Sequence, residues 1–168
     1  MLDPKDVIAT LLAGGADADS EREALRFDRA ALDDVRRRLA QPGTVVDLRA
    51  GDGAAAIALA RAFPNARVFG FDARPDRVAE ARRRALGAGV AGRVHFAAID
   101  WRKMPAYGFD LVLSFDLLLA SEDGGALAVI DRMLARGGCH VAFEQVADDR
   151  GSRVVMFART KTAARRAA

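Results

Sequence analysis

The spacing of apolar residues changes part-way along the chain. In the first forty residues, apolar positions such as Leu32 and Leu39 recur at helical intervals, and the pattern predicts two helices, at residues 6–12 and 21–39. An amphipathic stripe of this kind needs an apolar surface to cover. We therefore expect these helices to pack against the elements that follow.

After Pro42, short apolar runs alternate with helical segments. The predicted strands are residues 44–48, 67–71, 93–99, 109–115, 139–146 and 153–159, and the helices between them are residues 54–62, 75–86 and 124–135. This alternation indicates a parallel sheet with helices on its faces. Residues 147–152 are too few for a parallel crossover, so they predict an antiparallel hairpin between the last two strands.

These elements predict one α/β domain with a doubly wound, mainly parallel sheet, an antiparallel C-terminal hairpin and two N-terminal helices. Residues 1–41 would hold the helices, residues 42–160 the core and residues 161–168 a basic tail. A chain of 168 residues can bury a sizeable core. With one cysteine and no Cys/His cluster at zinc spacing, we expect neither a disulfide nor a metal.

The net charge of +3 raises the question of a nucleic-acid partner, but the excess lies at one end. Six basic and no acidic residues follow position 149, and without those six the 26 basic residues fall to 20, against 23 acidic ones. Aromatic residues do not alternate with these charges, as a base-stacking surface would require. Nucleic acid is therefore a less favoured partner. No segment approaches the roughly 20 apolar residues of a spanning helix, and the N-terminus lacks a signal-peptide layout, so we expect a cytoplasmic protein without a membrane partner.

A glycine turn follows the first predicted strand, in the segment VVDLRAGDG. Gly51 and Gly53 let the backbone approach a ligand, and the helix that follows offers unpaired N–H groups. Asp72, nineteen residues beyond Gly53, ends the second strand and can accept hydrogen bonds from ribose hydroxyls. The pattern predicts a nucleoside-type ligand. The alternative is that Asp72 only caps the helix beginning at Pro75.

Asp100 and Trp101 end the third predicted strand. The carboxylate could meet an exocyclic amine, with the large apolar ring beside it. The alternative is a loop aspartate next to a core tryptophan.

Four segments together resemble the class I S-adenosylmethionine-dependent methyltransferases: VVDLRAGDG, VFGFDARPDRVAEAR, VHFAAID and FDLVLSFDLLL. The resemblance implies a Rossmann-like, methyltransferase-like fold, S-adenosylmethionine as cofactor and S-adenosylhomocysteine as product. It also implies that Gly51 and Gly53 lie against the methionine part of the cofactor, that Asp72 holds the ribose, and that Asp100, with Trp101 beside it, meets the adenine. Asp47, a charged residue in an otherwise apolar first strand, also matches the family pattern and belongs to the predicted cofactor site.

The sequence departs from the family at Arg49, where the turn usually has the first of its three glycines. A guanidinium there could pair with Asp47, reach the carboxylate of the cofactor, or fill the pocket. The family also usually has seven strands, and here one strand and one helix are missing before the last strand. Part of the acceptor surface would then be absent or supplied by a partner.

Methyl transfer is an in-line displacement in which positioning contributes much of the rate. A catalytic base is optional. The candidates at the carboxyl ends of the fourth and fifth strands are Asp116 first, then Glu144, and finally Glu122 or Asp123, which also suit the first turn of the next helix. Because the fourth strand lacks the Asn/Asp-Pro-Pro-aromatic segment of methyltransferases acting on bases, we expect a small-molecule acceptor.

Two other functions remain open. Arg49 and the short C-terminal region are compatible with a catalytically idle relative that serves as a binding or dimerisation module. The predicted partner is then a second copy of the chain, in a homodimer. A nicotinamide-dependent oxidoreductase could use Gly51, Gly53 and Asp72. Asp47 counts against it, because the first strand of such sites is usually apolar throughout.

Overall fold

The computed structural model describes residues 25–26, 29–118, 125–148 and 151–161. The elements in chain order are β1 (Leu25–Arg26), α1 (Arg29–Leu39), β2 (Gly43–Leu48), α2 (Ala54–Ala62), β3 (Ala66–Asp72), α3 (Pro75–Gly87), β4 (Val94–Ala98), a 3-10 turn (Trp101–Lys103), β5 (Phe109–Phe115), α4 (Gly125–Met133), β6 (Leu134–Asp148) and β7 (Gly151–Thr160). The strands and helices predicted after residue 42 are confirmed, and their ends agree within two residues except at the start of β6. That strand begins early because Leu134 already pairs with Phe109, ahead of a register shift.

The strands form one sheet in the order β1-β7-β6-β5-β2-β3-β4. Strands β2 to β6 run parallel to one another, and β7 is antiparallel to β6. From β2 the chain first adds β3 and β4 on one side and then β5 and β6 on the other. In open α/β sheets, a ligand cleft forms at the carboxyl ends of the strands where the order reverses, which here is between β2 and β5.

Alternation along the strands divides the core into two apolar layers. Val45 and Leu111 face one layer, which is covered by α1, α2 and α3. Val46 and Val112 face the other, which is covered by α4. Helices therefore lie on both faces, and the α/β doubly wound fold is confirmed. The buried Leu39 of α1 shows that the predicted N-terminal stripe packs on this core.

The predicted helix at residues 21–39 is wrong at its start. Leu25 and Arg26 pair in parallel with β7, and α1 begins only at Arg29. The outer edge of β7 carries unpaired backbone N–H and C=O groups, and pairing them outweighs helix propensities that differ by less than about 1 kcal/mol per residue. The helix predicted at residues 6–12 and most of the basic tail lie outside the described residues.

The C-terminal hairpin is confirmed, with registered pairs that run from Cys139–Thr160 to Asp148–Gly151. Strand β6 therefore leads directly to β7, without a strand and helix between them. Of the helices that the structure describes, none is long and apolar enough to cross a membrane. No group of three His, Cys, Asp or Glu residues in the described part of the chain is arranged to hold a metal ion.

Candidate active site at the carboxyl ends of the strands

The turn after β2 has three residues in the left-handed backbone region. The φ angle is 61° at Arg49, 61° at Gly51 and 82° at Gly53. Glycine adopts this region readily, whereas other residues carry a penalty of roughly 1–2 kcal/mol. The amide of Ala50 donates to the carbonyl of Phe71 at 2.8 Å, which fixes the turn to β3. Because α2 begins at this turn, its first amides lie at the carboxyl edge of the sheet, where that of Ala54 donates to Oδ1 of Asp52 at 3.3 Å.

The ring of Phe96 lies against this turn and makes two glycines necessary. A Cβ atom on Gly53 would lie 2.6 Å from Cζ of Phe96, and one on Gly70 would lie 2.4 Å from its Cδ1. Both distances are too short for real contacts, so any larger residue would force the ring to move. The sequence interpretation missed Gly70. Its signal was a glycine inside a strand, which often marks a close approach of neighbouring groups.

Asp72 ties the end of β3 to the glycine turn. Its Oδ2 accepts a hydrogen bond from the Gly51 amide at 3.0 Å, and its Oδ1 accepts one from the Arg74 amide at 2.9 Å. The side chain is buried, with 9% of the residue exposed. A carboxylate has about four acceptor positions, so further donors such as ribose hydroxyls can still bind. The residue thus has a structural role at the entry to α3 that is compatible with the predicted ligand role.

Asp100 and Trp101 follow β4 in different surroundings. The Asp100 side chain is 33% exposed, pairs with Arg102 at 3.6 Å and also accepts a hydrogen bond from the Arg102 amide at 3.1 Å. Trp101 is buried in the apolar layer with Phe71 and Met104, as the core alternative states. Asp100 is therefore accessible to a ligand, whereas most of the tryptophan ring is committed to packing.

Asp116 and Glu144 hold the ends of β5 and β6 together. The Oδ1 of Asp116 accepts a hydrogen bond from the Gln145 amide at 2.7 Å. The Oε1 of Glu144 accepts hydrogen bonds from the amides of Leu117 at 3.1 Å and Leu118 at 3.0 Å. Glu144 is fully buried and Asp116 is exposed, so of these two only Asp116 can meet an acceptor at the surface. The other candidate bases, at positions 122 and 123, lie outside the described residues.

Arg49 spans the cleft between β2 and β5. Its side chain is exposed at the turn, and its Nη1 donates to the carbonyl of Asp116 at 3.0 Å. Asp47 lies two residues earlier in β2, fully buried between Gly70 of β3 and Leu113 of β5. An acid therefore lies inside the sheet, and a guanidinium lies across its carboxyl edge.

The two histidines lie away from this edge. His140 is buried, and its Nε2 is 3.0 Å from Oγ of Ser114. Burial, followed by the positive charge of Arg159, lowers the pKa of His140 to about 4, while Asp131 acts in the opposite direction. The ring is therefore neutral at pH 7. His95 is an exposed residue of β4.

A family model described as a methyltransferase domain matches residues 45–138, which is more than half of the chain. The matched stretch includes the glycine turn, Asp72, Asp100 and Asp116. The chain belongs to the class I S-adenosylmethionine-dependent methyltransferase family. This membership argues against the nicotinamide-dependent alternative, as the acid in β2 already did.

Relatives of this methyltransferase-family chain include proteins with different acceptors in their names. The demethylmenaquinone methyltransferase of Thermus thermophilus is 33% identical over 140 residues, which are 83% of this chain and 60% of the relative. The crystal structure of the S-adenosylmethionine-dependent methyltransferase SibL is 32% identical, with a TM-score of 0.56 over 67% of this chain and 35% of SibL. An RNA methyltransferase from Salinibacter ruber, solved with S-adenosylhomocysteine, shares the fold at 24% identity, with a TM-score of 0.61 over 82% of this chain and 94% of that one. The chain spans at most 60% of the first curated relatives that it matches.

The described residues fit the adenosine end of the cofactor that this family uses. Asp72 and Asp100 follow neighbouring strands, and each can accept more hydrogen bonds than the structure already gives it, which suits the hydroxyls and the amine of adenosine. Towards β2 and β5, Arg49 takes the place of a glycine. The fit at the amino-acid end of the cofactor therefore depends on that side chain.

Proposed function

We propose that this chain binds S-adenosylmethionine across the carboxyl ends of β2, β3 and β4 and transfers its methyl group to a small-molecule acceptor. The observation that carries the proposal is the placement of the Asp72 carboxylate, 3.0 Å from the Gly51 amide, at the turn that opens α2. Asp100 follows the adjacent strand β4 by two residues, so two acceptors lie at the same edge of the sheet. Adenosine has hydrogen-bond donors in its ribose hydroxyls and in its adenine amine, and these two carboxylates can accept from them.

The proposed chemistry needs little from the chain beyond positioning. When bound, the cofactor would supply a methyl group on a positively charged sulfur, which a lone pair of the acceptor would displace while the electron pair of the broken C–S bond stayed on the sulfur. Asp116, exposed after β5, is placed to take the proton that the acceptor loses. Glu144 acts as a positioning residue, because it holds the amides of Leu117 and Leu118 and so fixes the segment that carries Asp116.

The sequence and the relative that aligns with 83% of this chain favour a small-molecule acceptor, whereas release factor glutamine methyltransferases, 34% and 36% identical over shorter stretches, name a protein acceptor. The name of the Thermus thermophilus relative, demethylmenaquinone methyltransferase, states such an acceptor, and that relative aligns with 83% of this chain. The segment typical of methyltransferases acting on bases is absent at the carboxyl end of β5, where Ser114 to Leu117 stand instead. Nucleic acid is the less favoured acceptor, and a homodimer and a cytoplasmic location remain predictions.

A second function has support from Arg49. A guanidinium that fills the cleft between β2 and β5 would exclude the cofactor, and the chain would then serve as a catalytically idle binding or dimerisation module. The 3.0 Å bond from Nη1 to the carbonyl of Asp116 is compatible with this role. The idle module predicts that the chain has no affinity for the cofactor.

Isothermal titration with S-adenosylhomocysteine, with NAD as the control ligand, separates these functions. We expect micromolar binding of S-adenosylhomocysteine alone. In an Asp72→Asn variant this binding should weaken by roughly tenfold or more, because hydrogen bonds from the ribose to an ionised carboxylate are lost. Asp110→Asn, at the opposite end of the sheet where Asp110 accepts from Thr44, is the matched control and should keep the wild-type affinity. Absence of binding by the folded wild-type chain would support the idle module instead.

A further inference from the structure

Two residues other than glycine have a left-handed backbone among those that the structure describes, and they contact each other. The φ angle is 61° at Arg49 and 48° at Asp116, and Nη1 of Arg49 lies 3.0 Å from the carbonyl oxygen of Asp116. Strain of this kind costs roughly 1–2 kcal/mol per residue and tends to persist where function requires it. The two residues directly follow β2 and β5, the strands between which the strand order reverses. The contact therefore lies at the centre of the expected ligand cleft.

The positions of Asp72 and Asp100 give the ligand a direction. Both lie on the side of the cleft formed by β3 and β4, so adenosine bound there directs the rest of the molecule towards β2 and β5. The amino-acid end of the cofactor then reaches the part of the edge that Arg49 crosses. Its α-carboxylate would lie near the guanidinium.

The charges around the turn favour a cation beside the α-carboxylate. Asp52, Asp72 and Asp116 all lie on the turn or at the ends of neighbouring strands, and an α-carboxylate close to them would be repelled. Arg84 is already paired with Asp52. Arg49 is the basic residue of the turn itself, and its planar guanidinium matches the geometry of a carboxylate.

We propose, on the basis of the proposed function, that Arg49 binds the α-carboxylate of the cofactor while the carbonyl of Asp116 holds the guanidinium in place. The side chain thus takes part in cofactor binding at a position where the family usually has glycine. The strained backbone at Arg49 is compatible with this role, since such strain is often retained at functional sites. The residue would then determine specificity for ligands that carry the carboxylate.

Equilibrium binding of two ligands that differ only in this group tests the proposal. The ligands are S-adenosylmethionine and decarboxylated S-adenosylmethionine, titrated into the full chain. In an Arg49→Gln variant, binding of S-adenosylmethionine should weaken by roughly ten- to a hundredfold, because a charge-assisted contact is lost, while binding of the decarboxylated ligand should stay within about threefold. Arg49→Lys keeps the charge and should recover part of the loss. Arg61→Gln, an exposed charge at the far end of α2, controls for net charge and should change neither affinity.

Each other outcome overturns the proposal in a recognisable way. If Arg49→Gln weakens the binding of both ligands equally, the residue has a structural role. If it changes neither affinity, the residue takes no part in binding. Tighter binding of S-adenosylmethionine after Arg49→Gln or Arg49→Gly would show that the guanidinium fills the site. If neither ligand binds to the folded wild-type chain or to any of these variants, the proposed function itself fails.

Discussion

Acidification should destabilise the fold through one buried histidine. In the folded chain the pKa of His140 is lowered from 6.5 to about 4. Above pH 6.5 the ring is neutral in both the folded and the unfolded chain. Between pH 6.5 and 4 the unfolded chain takes up a proton that the folded chain does not, so the free energy of unfolding falls as the pH falls. The full difference corresponds to about 3 kcal/mol.

Desolvation is the main cause of this effect, since only 2% of His140 is exposed. The charge of Arg159, which pairs with His140 across the hairpin, adds to it, and the carboxylate of Asp131 opposes it. Asp131 is itself paired with Arg159 at 2.8 Å, which limits what it can offer to a protonated ring. Hydrogen bonds from Arg38 and Arg37 lower the pKa of Asp34 below 3.8. Its contribution to stability is therefore lost only below the pH range of 6.5 to 4 in which His140 acts.

Urea unfolding at several pH values between about 7 and 4, followed by circular dichroism, measures the loss. We expect the free energy of unfolding of the wild-type chain to fall by about 3 kcal/mol across this range and that of His140→Gln to change by less than about 1 kcal/mol. His95→Gln removes the other histidine, at an exposed position, and should keep the wild-type slope. The same slope in wild type and His140→Gln would refute the assignment, whatever the stability of the variant at pH 7.

Two further predictions concern packing and buried charge. Gly70→Ala should lower the free energy of unfolding by about 1–3 kcal/mol, because the new Cβ would meet the ring of Phe96, whereas Gly87→Ala, with open space around it, should be neutral or slightly stabilising in the same urea titration. A neutral Gly70→Ala would contradict the close packing beneath the turn. Glu144→Gln should cost about 1–3 kcal/mol, because the two backbone hydrogen bonds to its buried Oε1 are no longer assisted by the charge of a carboxylate. Glu80→Gln, at a partly exposed position, should cost less than about 1 kcal/mol, and an equal cost for the two variants would show that the charge of Glu144 contributes little.

Sequence patterns were sufficient for the elements whose signals are local. The alternation of apolar residues predicted β5 and α2 with the bounds that the structure has, and the short connection after β6 predicted the hairpin. The strand at Leu25–Arg26 was missed because it depends on the edge of β7, more than a hundred residues away. The bond from Arg49 to Asp116 joins residues 67 positions apart, and no periodicity reports such a contact. The sequence therefore left three roles open for Arg49. The fold was needed to see which residues of the candidate site lie together.

Acids at the ends of these strands combine two functions that sequence cannot separate. Asp72, Asp116 and Glu144 each accept a hydrogen bond from a backbone amide of a neighbouring turn or strand, so each helps to close the carboxyl edge of the sheet. A loss of activity after replacing any of them would therefore mix lost stability with lost chemistry. Arg49 differs, because its described hydrogen bond goes from an exposed side chain to a carbonyl. Replacing Arg49 by glycine also relieves the strain of its left-handed backbone. Ligand discrimination by Arg49 variants is therefore the cleaner measure of whether this edge of the sheet is a cofactor site.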